Sequence, residues 1–339
     1  MVRSVAAPEI SVLIPTRNRR ELLRRALVSL AEQETEAAYE VLVAVDGSTD
    51  GTAEMVQSLA GTLDVRAVVG PSRGRAGALN GVIEEARGAL IVILDDDMRV
   101  VPELLERHRR HHASDGDVCV MGAVPVELGR GSTHAARYIR DKFAAHMERL
   151  AEPDHVFVPR DFYSGNVSLP ARVLRGVGDF DDSFTLYGNE DVELSIRLRA
   201  AGCALAFDGE AVAWQEYSKT LRGLLEDTVA KGRTTVLLAR KHPDVFDQLR
   251  LAAPDDASRP WLALRTVLLA AGRRWPWTVR AALAGAAALE RAGLWRQPLF
   301  YRAVTDYAFW VGVCSVLQQN EADDRLRALY GELRLGSTQ

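Results

Sequence analysis

Three consecutive aspartates, Asp95, Asp96 and Asp97, are the residues of this chain that most strongly indicate chemistry. They follow the apolar run Leu90–Leu94, so their surroundings are poorly solvated. Such a cluster is costly unless a cation neutralises it or some of the pKa values rise. Carboxylate oxygens suit Mg²⁺ or Mn²⁺, which also bind the phosphates of nucleotides. The triplet therefore predicts a divalent-cation site, and a solvated acidic loop is the alternative. If strand geometry continues through the triplet, Asp95 and Asp97 point to one side and Asp96 to the other.

A second acidic group, Glu190 and Asp191, begins a segment in which Leu194 and Leu198 share one face of a predicted helix. Acidic residues in the first turn complement the helix dipole, which is the ordinary structural explanation for them. The functional interpretation is a general base directed into a crevice.

Two further segments carry groups that suit a nucleotide. Asp46 ends an apolar run, where its carboxylate can accept hydrogen bonds from a base or a ribose. The structural alternative is that the turn after Asp46 serves only to begin and cap the next helix. Arg73 and Arg75 suit phosphate, and the glycines between and after them allow backbone to approach a ligand. The chain has neither a GxGxxG motif at this point nor a P-loop, which disfavours a dinucleotide enzyme and an NTPase.

Apolar runs alternate with helix-like segments as far as about residue 125. This alternation predicts βαβ units and a mostly parallel sheet covered on both faces. Ligands bind at the carboxyl ends of such strands, and the polar residues named above follow predicted strands. We therefore expect four consecutive strand ends to converge on one crevice. The predicted strands are 10–14, 41–45, 65–69, 89–94 and 118–123, and the helices between them are 19–33, 52–60, 75–86 and 102–113.

After about residue 130 the predicted elements are mainly helices, at 134–150, 189–201, 221–240 and nearly everywhere from residue 261. The segment 252–260 is the predicted boundary between a domain at 1–250 and a helical extension at 257–339. His108 and His112 are spaced as a metal pair, but a solvated basic helix face is the favoured interpretation.

The stretch from residue 257 to 310 holds eight arginines, two acids and five of the six tryptophans: Trp261, Trp275, Trp277, Trp295 and Trp310. Arginine and tryptophan on apolar helices are typical of a membrane interface and equally of a homodimer interface. A helical subdomain with its tryptophans in the core is the third alternative. The core and the dimer are together favoured over the membrane.

Composition limits the classes of protein that remain. The 339 residues carry 46 acidic and 42 basic side chains and a net charge of −4, so no basic footprint for nucleic acid is present. The three dispersed cysteines favour a reducing compartment. No uncharged apolar stretch approaches the length of a spanning helix. We expect a cytoplasmic protein, with contact to the inner face of the membrane left open.

Taken in order, five segments resemble the family 2 glycosyltransferases, which are inverting enzymes with the GT-A fold. The segments are SVLIPTRNR, DGSTDGT, RGALIVILDDD, SGNVSLPARVLRGVGDFDDSF and NEDVELSIRLRAAG. The resemblance covers residues 8 to 245. It implies a hexosyltransferase-type enzyme that uses Mn²⁺ or Mg²⁺ and a UDP-, GDP- or dTDP-sugar donor. The acceptor that it implies is a hydroxyl group of a glycan, a lipid-linked saccharide or a natural product.

The resemblance also implies roles for residues. Asp191 would be the catalytic base with Glu190 beside it, and Asp97 would bind the metal. Donor-binding roles would fall to Pro15, Thr16, Arg17, Asp46, Arg75, Asp95, Asp96 and Asn166. Within that set, Thr16 and Asp46 would hold the base with Arg75 beside them, Asp95 would reach the ribose, and Asn166 would lie near the donor sugar or the acceptor.

The chain departs from the family at one place. Many relatives have a histidine after the helix that begins at Glu190, whereas this region reads AWQEY over residues 213–217. Either Gln215 or Glu216 would replace that histidine, or metal affinity would be weaker. A sugar-phosphate nucleotidyltransferase is an alternative that the glycine-free stretch 15–18 disfavours. A degenerate sugar-nucleotide-binding module is disfavoured because both acidic groups are present.

Overall fold

The structure is a computed structural model that describes residues 7–114, 116–129, 132–252, 258–294 and 296–334. Trp295 and most of the predicted boundary segment 252–260 lie outside these residues. The chain forms two compact units. The first unit comprises the described residues up to 129 together with 139–185 and 190–217. The second unit comprises 132–138, 186–189 and the described residues from 218 onward. The predicted domain limits of 1–250 and 257–339 stay a prediction.

The strands are β1 (Ile10–Thr16), β2 (Tyr39–Asp46), β3 (Val65–Gly70), β4 (Leu90–Leu94), β5 (Met98–Val100), β6 (Val118–Gly122), β7 (Val126–Glu127), β8 (Asn166–Pro170), β9 (Ala204–Asp208) and β10 (Ala213–Glu216). The helices are α1 (Arg20–Ala31), α2 (Thr52–Leu59), α3 (Gly74–Glu85), α4 (Leu104–His111), α5 (His134–Leu150), α6 (Ala171–Gly176), α7 (Glu190–Ala200), α8 (Leu221–Lys241), α9 (Arg259–Arg274), α10 (Trp277–Arg291), α11 (Pro298–Val316) and α12 (Asp324–Arg334).

The first unit contains a seven-stranded sheet in the order β3-β2-β1-β4-β8-β6-β9. Its strands pair in parallel except β8, which is antiparallel to both β4 and β6. Successive residues such as Val12 and Leu13 are fully buried in different apolar clusters, which explains why the strands are continuous apolar runs. The predicted mostly parallel α/β sheet is confirmed.

A small second sheet lies next to the aspartate triplet. Its order is β5-β10-β7, and Gln215 of β10 pairs with Met98 of β5. Because β5 begins immediately after Asp97, this pairing brings Gln215 beside that carboxylate. The sequence did not predict β5, β7, β9 or β10, since each is short and lacks a long apolar run.

The predicted solvated basic face on α4 is wrong at His108, whose side chain is fully buried. Its Nδ1 lies 2.8 Å from Ser168 Oγ and its Nε2 lies 2.9 Å from Asn166 Oδ1. Burial lowers the pKa of His108 to about 4, so the ring is neutral near pH 7. His108 is a hydrogen-bonded core residue because α4 packs its apolar face onto the sheet.

From residue 221 onward every described secondary-structure element of the second unit is a helix, as predicted. At the crossing of α8 and α11, a Cβ on Gly232 would overlap the carbonyl oxygen of Phe309. Trp310 is buried, whereas Trp275 and Trp277 are 51% and 62% exposed. Within the described part of the chain, no helix combines the length and the apolar character that crossing a bilayer requires.

Candidate functional site

The aspartate triplet forms a turn at the carboxyl end of β4. The strand ends at Leu94, and the backbone N–H of Met98 donates to the carbonyl oxygen of Asp95 across 3.3 Å. Strand geometry does not continue through the triplet, so the alternation expected for a continuing strand does not arise. Asp96 and Asp97 share one cation, and Asp95 contacts a different one.

Arg19 is the cation that Asp96 and Asp97 share. Its Nη1 donates to Asp96 Oδ1 at 2.6 Å and its Nη2 to Asp97 Oδ2 at 2.9 Å. Thr16 Oγ1 donates to the other oxygen of Asp96 at 2.7 Å. Burial raises the pKa of Asp96 to about 7 although Arg19 opposes this shift. The sequence analysis missed Arg19, yet three adjacent acids require a cation and Arg19 lies just after the neighbouring strand β1.

Arg75 joins the two acidic groups. Its Nη2 donates to Asp95 Oδ1 at 2.8 Å, and its Nη1 lies 3.7 Å from Glu190 Oε1. Ser164 fixes the guanidinium further, because its Oγ accepts from Nη1 at 2.8 Å and its carbonyl oxygen accepts from Nη2 at 3.0 Å. Burial opposes the charge of Arg75, but Asp95 and Glu190 raise its pKa overall. Acids that are 95 positions apart in the sequence thus meet at one arginine.

Glu190 and Asp191 differ in their surroundings. Glu190 is buried, and its Oε2 has no hydrogen-bond partner among the described residues. Burial and the neighbouring Asp191 raise the pKa of Glu190 although Arg75 opposes this. Asp191 is half-buried, and its Oδ1 accepts from the backbone N–H of Val192 at 2.8 Å. An incoming hydroxyl group can therefore reach Asp191 more easily than Glu190.

Asp46 lies at the carboxyl end of β2 and holds the start of α3. Its two carboxylate oxygens accept from the backbone N–H groups of Arg73 at 2.7 Å and Gly74 at 3.1 Å. Gly74 adopts a φ of +79°, and a Cβ there would lie 2.9 Å from the carbonyl oxygen of Thr185. The glycine that begins this helix therefore allows a close backbone approach and a left-handed conformation.

The other predicted residues fall into two groups. Pro15 is half-buried and Arg17 exposed at the end of β1, beside the ends of β2 and β4. Asn166 is fully buried instead. Its Nδ2 donates to the carbonyl oxygens of Ala123 and Ala211, and its Oδ1 faces His108. The amide has no exposed atom for a sugar, so this residue serves the sheet interior in the structure.

Gln215 and Glu216, the two candidates for the place of the histidine, have different partners. Gln215 Nε2 lies 3.4 Å from Asp97 Oδ1, and its Oε1 is buried without a partner within the described residues. Glu216 forms an ion pair with Arg25 at 3.0 Å. A cavity of about 230 Å³ borders Asp97 and Glu216 and is lined further by Arg25 and Arg99.

The mostly parallel sheet and the C-terminal helices make this fold similar to that of solved GT-A glycosyltransferases. A solved mannosyltransferase from Pyrobaculum calidifontis, in complex with GDP-Man and Mn²⁺, has this fold. It aligns over 91% of this chain and 90% of its own, with a TM-score of 0.53 and 21% identity. Residues 1–349 of S. aureus TarS align over 88% of this chain and 90% of their own, with a TM-score of 0.50 and 14% identity.

The sequence comparison points to one family. Residues 11–160, a little under half of the chain, match the family described as Glycosyl transferase family 2. Validoxylamine A glucosyltransferase of Streptomyces hygroscopicus subsp. jinggangensis is 32% identical over 274 residues, which cover 71% of this chain. They cover 63% of that relative, so the chain spans less than two thirds of its length. The family match and this relative support a glycosyltransferase enzyme, as predicted, and the solved structures confirm the predicted fold.

Proposed function

We propose that this chain transfers a sugar from a nucleoside-diphosphate donor to an acceptor hydroxyl group, with inversion and with a divalent cation. The observation that carries the proposal is the contact of Arg75 with both Asp95 and Glu190. It brings the acids at the end of β4 and the acids at the start of α7 to one place. A nucleotide-sugar transferase needs this proximity, because its leaving group and its base act on the same anomeric carbon.

The residues beside Asp97 fit Mn²⁺ or Mg²⁺. Gln215 Oε1 is an unpartnered buried oxygen near the Asp97 carboxylate, and hard oxygen donors are what these cations prefer. Within the described residues no group of three His, Cys, Asp or Glu side chains could hold a metal. Magnesium in such enzymes is usually held by one or two carboxylates and by substrate phosphates. Asp97 and Gln215 would hold the cation, which when bound supplies Lewis-acid charge to the diphosphate.

Asp191 acts as the base in this proposal. It takes the proton of the acceptor hydroxyl while that oxygen attacks the anomeric carbon from the face opposite the diphosphate. The bond between the anomeric carbon and the phosphate oxygen breaks, and its electron pair leaves with the diphosphate. A single displacement of this kind inverts the configuration. Glu190 positions Arg75 beside the departing group, where a fixed positive charge stabilises developing negative charge.

The nucleotide would bind at the carboxyl ends of β1, β2 and β4. Strand β1 pairs with both neighbours, so Pro15, Thr16 and Arg17 lie between Asp46 and Asp95. Asp95 is half-buried and suits a ribose hydroxyl. Because one relative is a glucosyltransferase, glucose nucleotides are the first donors to test.

The test compares Asp191→Asn with Asp141→Asn, which changes an exposed acid on α5. Candidate donors are those that raise the melting temperature of the protein in the presence of Mn²⁺. Asp191→Asn should abolish sugar transfer and donor hydrolysis while the donor-induced melting shift persists, and Asp141→Asn should behave as the parent does. NMR of the product should show the inverted anomer. Unchanged turnover in Asp191→Asn would contradict the base assignment, and pyrophosphate release from a sugar phosphate and an NTP would contradict the class of reaction.

A further inference from the structure

The hairpin of α9 and α10 leaves large apolar side chains exposed. On α9, Leu264 and Val267 are three residues apart, so they share one face, and they are 50% and 64% exposed. Trp275 and Trp277 project from the corner between the helices, and Leu289 is exposed on α10. We call these five residues the hairpin face. Isolated exposed apolar residues are common, but a concentration of this kind indicates an interaction surface.

Hydrogen bonds and close packing hold the backbone at the corner between α9 and α10, which carries the tryptophans. The backbone N–H of Trp275 donates to the carbonyl oxygen of Ala271 at 2.8 Å, and Thr278 Oγ1 donates to the carbonyl oxygen of Trp275 at 2.8 Å. A Cβ on Gly272 would lie 2.6 Å from Val279 Cγ2, so the two helices approach closely there. The indole rings are therefore presented by a fixed backbone rather than by a loose loop.

The exposed charges of the α9–α10 hairpin itself are of one sign. From residue 258 to 305 the only acid in the sequence is Glu290. Glu290 is buried and accepts from the backbone N–H of Ala135 and the hydroxyl of Tyr301, so it does not reach the surface. Arg273 donates to the carbonyl oxygen of Leu333 at the end of α12, whereas Arg274 and Arg280 are exposed and take part in no ion pair among the described residues. A helical hairpin with exposed tryptophan and arginine, and with no exposed acid of its own, is complementary to an anionic lipid surface.

We propose that the hairpin face docks on the surface of an anionic lipid bilayer. Arg274 lies over the ring of Trp275 at 5.6 Å, which keeps cation and ring together at the level of the lipid headgroups. A second copy of the chain suits the face less well, because a twofold interface places the same patch against itself and would bring arginine against arginine. The proposal does not depend on the sugar transfer proposed above.

The experiment uses the full chain and sedimentation with vesicles of phosphatidylcholine alone or with about 30% phosphatidylglycerol. The protein should sediment with the anionic vesicles only, with less binding at high salt, and its tryptophan emission should shift to shorter wavelength. Trp275→Ala with Trp277→Ala should weaken binding about tenfold or more, since both rings then leave the lipid. Arg274→Gln with Arg280→Gln should weaken it about thirtyfold, because each arginine near an anionic surface contributes roughly a fivefold factor.

Trp214→Ala is the matched control, because Trp214 is an exposed tryptophan of the first unit and its loss should leave vesicle binding unchanged. Circular dichroism and thermal unfolding verify that the variants fold. If the tryptophan variant fails to fold, the double variant Leu264→Gln with Val267→Gln tests the same face. Failure of the parent to bind anionic vesicles at low salt would overturn the proposal, as would binding that both apolar variants leave intact. The proposal would also be overturned if the parent formed a dimer in sedimentation velocity, bound no vesicles, and became monomeric in the tryptophan variant. The face would then be assigned to a second copy of the chain.

Discussion

Arg75→Met tests the contact that joins the two acidic groups of the site. At 3.7 Å from Glu190, the guanidinium gains about 4 kcal/mol of Coulomb energy with an effective dielectric constant of about 20. Desolvation of both groups offsets much of this energy. The expected net coupling between Arg75 and Glu190 is about 1–3 kcal/mol. The single variant should lose about 3–5 kcal/mol of unfolding free energy, because Asp95 and Glu190 lose their shared cation.

A double-mutant cycle measures the coupling. Urea unfolding of the parent, Arg75→Met, Glu190→Gln and the double variant gives the four free energies that the cycle needs. The double variant should be more stable than Arg75→Met, because the neutral glutamine needs no counter-ion. A coupling below about 0.5 kcal/mol would mean that the two side chains are independent, and the argument for a single shared site would then fail.

The other predictions concern packing, acid stability and metal binding. Gly232→Ala should destabilise the protein by about 2–4 kcal/mol, because its Cβ would overlap the backbone of α11, whereas Gly285→Ala, on open helix surface, should be neutral or slightly stabilising in the same urea titration. Burial opposes the charge of Glu40, but hydrogen bonds from Arg87, Ser11 and Arg66 lower its pKa to about 2, so Glu40 contributes stability above about pH 4 that is lost as the pH falls towards 2. In Glu40→Gln, thermal unfolding should show a shallower fall over this range, and an unchanged slope would contradict the ion-pair explanation. Gln215→Leu should weaken Mn²⁺ binding in the presence of nucleoside diphosphate about tenfold or more, measured by the paramagnetic resonance of free Mn²⁺, whereas Glu216→Gln should leave it near the parent value.

The sequence predicted the elements with long apolar runs and missed the short ones. Strand β4 is buried along its whole length, so its apolar run is unmistakable. Strand β10 has four residues and exists because β5 and β7 pair with it, which is a long-range contact with no local signal. The same limit applied to β9, whose residues are mostly half-buried.

The acidic residues of the candidate site could be predicted from the sequence, whereas the arginines that pair with them were harder to predict. Asp95–Asp97 could be found because they follow the apolar run of a predicted strand, where carboxylates are rare. Glu190 could be found because it stands at the start of a predicted helix. The partners Arg19 and Arg75 depend on which side chains the fold brings within hydrogen-bond distance, and only Arg75 was named beforehand. Asn166 lies in a stretch that resembles a ligand-binding motif, but the antiparallel insertion of β8 turns its amide towards His108 and the core.

The triangle of Asp95, Arg75 and Glu190 also restricts how this site can be redesigned. A substitution at any one corner changes the electrostatic balance of the other two, so the corners cannot be adjusted one at a time. Engineering for a different sugar should therefore keep all three residues and vary the side chains that border them. The same reasoning suggests that useful variants from a random library will carry changes around this triangle far more often than within it.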